Sequence, residues 1–397
     1  MVNEKRYIML YFFIPLILIF NEHILYLVKF RNTIYVDIEI SLVIIFCIIY
    51  INKILSVKSF DLGIPIFILF ILILVTAIIS NFYINQSFKE IFKAYRHMLL
   101  FLIYFPVNAC MDSRKSYYYI KNFLLWLGFI FSLLAILQLV LGYNNIILKD
   151  VSYAYRFGKM RFYSGFTMVV PSFFIAFSNF FEIKKIRYKF LSIVMILIEL
   201  AYFLYVTKTR NIIFAIVFSF IFVILIQKKY KKLYKLVIAM FLLTVAIIFF
   251  KDIFLTLIES SINDPATGND RLNTISFIFD NIKNSLFLGL GMYSPEITEI
   301  PLKIHVDVGV IGFFFEYGII GICLLIWIIV KVIKKIIYLY KINSSDVYMF
   351  IGYFTYTIII LPFNCMLNLK EVIVYFILMY TLLETKYNYC KIWKRIR

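Results

Sequence analysis

The sequence predicts an all-α polytopic membrane protein of about twelve transmembrane helices. Three observations carry that prediction. Of the 397 residues, 63% are hydrophobic. Apolar runs near the roughly 20 residues needed to cross a bilayer recur from one end of the chain to the other. Lysine and arginine fall in short clusters between those runs, such as KKYKK at 228–232 and KRIR at 394–397.

The runs divide into spans at 7–22, 33–51, 60–80, 90–111, 120–142, 163–181, 190–207, 210–227, 236–257, 306–330, 347–364 and 371–384. Several are short, which thinning of the bilayer or snorkelling ends can accommodate. Lys5 and Arg6 precede the first run, and no small-residue cleavage site follows it, so it reads as a membrane helix and not a removed leader.

Orientation follows from the basic residues. With the N-terminus inside, Lys53 and Lys58, Arg114 and Lys115, Lys184 to Lys189, Lys228 to Lys235, and Lys334, Lys335 and Lys341 all share one side with the C-terminal tail. This is the positive-inside pattern for an N-in, C-in chain. The net charge of +19 therefore reads as topology, and nucleic acid is not expected as a partner. Five cysteines show no CxxC or CxxH spacing, so neither a disulfide framework nor a structural zinc site is indicated. No fixed-period repeat or low-complexity linker divides the chain, which reads as one integral membrane domain over 1–397.

The same assignment places loop 143–162, the turn at 208–210 and the long loop 258–305, between spans 9 and 10, outside. These carry Arg156, Lys159, Arg161, Lys208, Arg210 and Arg271, against the topological preference. An anionic ligand is the simplest explanation. Within 258–305 the spacing of Leu272, Ile275, Ile278, Phe279 and Ile282 predicts an amphipathic helix. Asn269 or Asp270 would cap its start near Arg271, and Gly289 to Gly291 would end it.

Four outward stretches could carry chemistry. They are Arg161 to Phe166 with Pro171 following, Thr207-Lys-Thr-Arg210, Asn269-Asp270-Arg271 with SLFLGLG at 285–291, and His305-Val-Asp307 followed by Glu316-Tyr-Gly318-Ile-Ile-Gly321. Guanidinium stays charged and grips phosphate oxygens in pairs, so arginine at a membrane boundary suits a diphosphate. The bland alternative is an anchor snorkelling to lipid phosphates. The turn before Arg210 is too short to swing away, which favours the ligand reading there. His305 and Asp307 open a span and could simply cap it; either could instead serve as a general base toward a sugar hydroxyl. Glu296 and Glu299 could do the same work, and Tyr153, Tyr155 and Tyr163 could stack on sugar rings, although an interfacial aromatic belt explains them as well.

In order, spacing and membrane side, these stretches resemble the O-antigen ligase/polymerase family, the Wzy-like polysaccharide polymerases and their ligase relatives. The resemblance rests on Arg161, Gly165, Phe166 and Pro171; on Thr207, Thr209 and Arg210; on Arg271, Gly289 and Gly291; and on Asp307, Glu316, Gly318 and Gly321. It is clearest over about 160–325. It implies a helical membrane enzyme of the bacterial cytoplasmic membrane that acts on undecaprenyl-diphosphate-linked oligosaccharide without metal, nucleotide sugar or other cofactor. Arg161, Arg210 and Arg271 would hold the diphosphate, and Arg156, Tyr163 and Glu296 would contact sugar or acceptor. Asp307 stands where ligases have histidine, and His305 lies two residues earlier, which favours a polymerase and leaves two candidates for the base. A chain-length regulator and a flippase would be its pathway partners. The alternatives are a ligase-type glycan transferase and a lipid-linked oligosaccharide flippase; the latter expects ionisable residues and broken helices near the bilayer midplane.

Overall fold

The computed structural model describes residues 2–28, 32–57, 59–84, 86–111, 113–142, 147–149, 151, 153–156, 159–162, 165–183, 185–228, 240, 265–293, 308–363, 365 and 367–396. In chain order the helices begin with α1 (Val2–Asn21), α2 (Asn32–Ile49), α3 (Ile51–Ser56), α4 (Gly63–Ile84) and α5 (Phe88–Tyr95). A 3-10 segment (Arg96–Ile103) leads into α6 (Tyr104–Cys110), followed by α7 (Arg114–Leu141). A hairpin of β1 (Tyr153–Arg156) and β2 (Lys159–Phe162) precedes α8 (Phe166–Glu182) and α9 (Ile186–Ala201), which runs on as π-helix over Tyr202–Thr207. Then come α10 (Arg210–Ile226), α11 (Pro265–Asn281), a 3-10 turn (Ile282–Ser285), α12 (Gly309–Lys341), α13 (Val347–Ile360) and α14 (Lys370–Ile396).

Among the described residues, four helices are long and apolar enough to cross a membrane: Gly63–Tyr83, Arg114–Leu141, Ile186–Thr207 and Gly309–Lys341. Shorter apolar helices cover Tyr11–Asn21, Phe166–Glu182, Asn211–Ile226 and Val347–Ile360. The architecture is that of a helical membrane protein, as expected. The expected span 236–257 lies outside the described residues apart from Met240.

One expected span has a different form. Residues 90–111 are not a single helix. The Ser87 hydroxyl caps the Glu90 amide at 3.4 Å, and the Glu90 carboxylate accepts from the Ser87 amide at 2.9 Å. That capping box starts the short amphipathic α5, which buries Ile91 and Tyr95 and leaves Phe88 and Phe92 exposed. The chain then tightens to 3-10 before α6. Hydropathy averaged over the window hid the polar positions that make 88–95 two-sided.

The hairpin is a second difference: the expected loop 143–162 of an all-α chain carries two paired strands. Its strands are rich in aromatic and extended-tolerant residues, with Tyr153 opposite Phe162 and Tyr155 opposite Met160.

The chain forms two compact units. The first comprises 1–124, 274–344 and 361–397, and the second 125–273 and 345–360. In the first, α1 packs on α2, with the Phe13 and Phe46 rings stacked 4.9 Å apart, and α2 and α14 both pack on the 3-10 segment. Just before α4, Asp61 receives hydrogen bonds from Lys331 at 2.8 Å, from Lys335 at 2.5 Å and from the Tyr380 hydroxyl. Those residues tie α12 and α14 to the start of α4. In the second unit, α8 packs on α9 and α13, and α13 packs on α10. Gly352 of α13 lets the Phe174 ring approach, because a Cβ there would lie 2.2 Å from a ring carbon.

Candidate functional site

In the second unit the hairpin sorts its residues by face. Opposite pairs are Ala154 with Arg161 and Arg156 with Lys159. Strand alternation therefore puts positions 154, 156, 159 and 161 on one face and the aromatic positions on the other. The register pairs two basic positions, 156 and 159, and like charges at paired positions cost stability. Phe162 is buried and Arg161 is half-buried. Gly165 then turns the chain into α8 at φ +79°, where a Cβ would lie 2.1 Å from the Phe131 ring. Only glycine meets both demands, which gives the Arg-x-x-x-Gly-Phe stretch a backbone reason.

Strand β2 lies against the π-helical segment 202–207. That segment ends where Lys208 adopts left-handed φ 46°, with its amide bonded to the Phe203 carbonyl at 3.2 Å. Thr209 follows and Arg210 opens α10. The fold thus brings the Arg161 strand beside the segment that leads into the Thr207–Arg210 turn, two stretches separated by more than forty residues in sequence. The Thr209 side chain makes no capping bond to the first amides of α10. Free amides at a helix start favour an anion.

Arg271 lies inside α11. The expected start near Arg271 is corrected: the helix begins at Pro265, a residue suited to the first helical position, so Asn269 and Asp270 are interior and not caps. The expected stripe is also narrower. Ile278 and Ile282 are buried against Leu290, Tyr293, Val308 and Phe315, whereas Leu272 and Phe279 are exposed. Tyr163, Glu296, His305 and Asp307 lie outside the described residues; Val308, next to Asp307, belongs to that apolar cluster. Arg156 is the last residue of β1.

In the first unit, α12 is broken at Gly318, with φ 61° and ψ −160°. Segment 286–291 fills the break. Leu290 and Gly291 donate their amides to the Phe315 and Glu316 carbonyls at 2.8 and 3.0 Å. Ile319 and Ile320 donate to the Leu286 and Phe287 carbonyls at 3.0 and 3.2 Å. These four bonds with segment 286–291 satisfy backbone groups that the kink releases, a requirement inside an apolar bundle. Beside the break Glu316 is fully buried and accepts from Asn368 Nδ2 at 2.5 Å, and His97 Nε2 meets the Asn368 carbonyl at 2.9 Å. Burial pushes the neighbouring Cys365 thiol up to about 12, which leaves it unsuited to nucleophilic work. The sequence marked Gly289, Gly291 and Gly318 but gave no hint that they dock on one another.

Residues 190–326 match the family model described as O-Antigen ligase. Over that stretch the chain is similar to the O-antigen ligase family. The matched stretch includes the Thr207–Arg210 turn, Arg271, the Gly-x-Gly segment and the break at Gly318, and it begins after the Arg161 hairpin. Proteins of the O-antigen ligase family are membrane glycan-transferring enzymes, ligases and polymerases. No curated protein matches the chain.

Proposed function

We propose that the protein is a polysaccharide polymerase of the bacterial cytoplasmic membrane. It transfers a glycan from undecaprenyl diphosphate to a lipid-linked repeat unit on the outer face. The acceptor hydroxyl attacks the anomeric carbon, the bond to the diphosphate oxygen breaks, and its electron pair leaves with the diphosphate. The hydroxyl proton passes to Asp307 or His305. Arg161, Arg210 and Arg271 hold the leaving group and stabilise its developing charge. The energy is stored in the carrier bond, so the reading needs no cofactor.

The observation that carries this reading is the family match over 190–326 together with the packing of the Arg161 strand against the segment that leads to Arg210. A cationic strand face and an uncapped helix start beside one another suit a diphosphate. The flippase alternative has one observation in its favour, the broken α12 with buried Glu316. That break is occupied by segment 286–291, so its backbone groups bind the chain itself, which favours a scaffold for the outer loop over a transport path.

The test is Arg210→Lys expressed in a strain lacking the native gene. The charge remains and the fork is lost, so polymer length should collapse with normal membrane abundance. Wild-type polymer would remove Arg210 from the mechanism. In the deletion strain, single lipid-linked repeats accumulate outside for a polymerase and inside for a flippase.

A further inference from the structure

Three helices of the second unit meet at a polar knot that the proposed reaction does not use. Glu199, on α9 three residues before the π-helix, is fully buried. The Ser172 hydroxyl on α8 lies 2.6 Å from the Leu125 carbonyl of α7 and also bonds Glu199 Oε1. Gly128 permits this approach, since a Cβ there would stand 2.5 Å from the Met168 carbonyl and from Ser172 Cβ. The other oxygen of Glu199, Oε2, is buried with no hydrogen-bond partner.

Proton counting decides the state of this group. A serine hydroxyl has one proton, and a backbone carbonyl can only accept. With Ser172 donating to Leu125, the short contact to Glu199 needs a proton from the carboxyl. A neutral acid donating through Oε1 leaves only a carbonyl-like oxygen without a partner. An ionised one would leave a bare buried charge, which costs far more. The facing elements supply no cation. Residues 125–141 of α7 contain no titratable group, and α8 carries only Glu182, ten residues beyond Ser172 and bonded to the Asp346 amide. The π-segment adds Tyr202 and Tyr205, and Tyr202 packs edge-on to Phe131.

We propose that Glu199 is a positioning residue held as the neutral acid. Through Ser172 it pins α9 to α7 and α8, fixes where the π-helix starts, and so sets the Thr207–Arg210 turn against β2 and Arg161. A π-helical turn beside such a site is a recurring feature of functional positions. This inference rests on the diphosphate reading above.

The test uses the full chain in lipid nanodiscs with farnesyl diphosphate as probe and farnesol as control. Glu199→Gln keeps a donor to Ser172 and should rescue affinity to within about 3-fold of wild type, whereas Glu199→Ala and Ser172→Ala should weaken it by about 10-fold or more. Wild-type affinity should fall on the alkaline side as Glu199 loses its proton, and the Gln variant should lack that limb. Infrared spectra should show a protonated-carboxyl band that Glu199→Gln removes. Gln behaving like Ala, Ala binding as wild type, or no such band each overturns the inference. If Glu199→Ala does not fold, the pH profile and infrared band of wild type against Gln decide alone. A wild-type protein that binds the diphosphate no better than farnesol overturns the diphosphate reading, and the infrared band then still decides the state of Glu199.

Discussion

The amide of Leu290 donates to the carbonyl of Phe315 at 2.8 Å, closing a gap that Gly318 opens in the middle of a 33-residue helix. Gly291 repeats the contact one residue on, to Glu316. The two glycine motifs of the matched segment are thus the two halves of one joint. At Gly289 a Cβ would stand 2.4 Å from the Glu316 carbonyl, and at Gly318 one would stand 2.4 Å from that of Phe287. Both glycines also have left-handed φ. Gly318→Ala or Gly289→Ala should therefore cost at least about 2–3 kcal/mol, through a backbone clash added to strain. The measurement is the thermal midpoint of the purified protein in detergent. A midpoint unchanged in both variants would show that the joint does not form.

Asp61 gives a pH-dependent prediction. Burial pushes its carboxyl up, but hydrogen bonds from Lys331, Lys335 and Tyr380 outweigh that and hold it at about 2. A depressed acid contributes stability that is fully present above its unfolded value, about 3.9, and that is lost as pH falls through the folded value. Asp61→Asn should lower stability at pH 7 by on the order of 1 kcal/mol, since the site is only partly buried and solvent screens the pairs. The difference from wild type should shrink progressively below about pH 4. Chemical-denaturation midpoints of both proteins across that range check it, and a difference independent of pH would sink the ion-pair account.

How much of this was legible in the sequence depends on the range of the interaction. The helices around 114–141, 186–207 and 309–341 follow from apolar length alone. The short turn leading into Arg210 was legible, because it is a local property. The packing of the Arg161 strand on 202–207 was not, because it joins residues about forty positions apart in the chain. Gly318 was marked as a motif glycine, but its reason, the docking of 286–291 into a broken helix, joins segments that only the fold brings together. Ser172 carried no mark, and Glu199 stood out only as an acid inside an apolar span; the two acquire a shared meaning when the helices meet. The start of α11 was misplaced because Asn269 and Asp270 are good caps in isolation, while Pro265 upstream already supplies an allowed first turn.

The identity of the base is decided by substitution. Asp307→Asn removes a proton acceptor with little change in shape, and His305→Gln does the same for the imidazole. General-base catalysis contributes roughly 10²–10⁴-fold, so the variant of the true base should lose polymer synthesis by that factor with diphosphate affinity unchanged. The other should leave assembly intact. Polymer at wild-type levels from both single variants would remove proton abstraction by this segment from the mechanism.

The hairpin makes the sharpest prediction about anion binding, because its register separates charge from anchor. Arg161 occupies the strand beside the π-segment, and loss of its charge-assisted hydrogen bonds, about 1.5–3 kcal/mol, corresponds to roughly 10–100-fold weaker binding. Arg161→Ala should therefore weaken farnesyl diphosphate binding by that range, and Arg161→Lys should recover only part of it, because an ammonium lacks the planar fork. Lys159→Ala should change affinity less than Arg161→Ala, yet should raise hairpin stability by relieving the repulsion across from Arg156. Titrations at rising salt should show the wild-type affinity falling as the exposed charges are screened. Equal losses at 159 and 161, scaling only with net charge, would instead assign both residues to nonspecific attraction at the membrane surface.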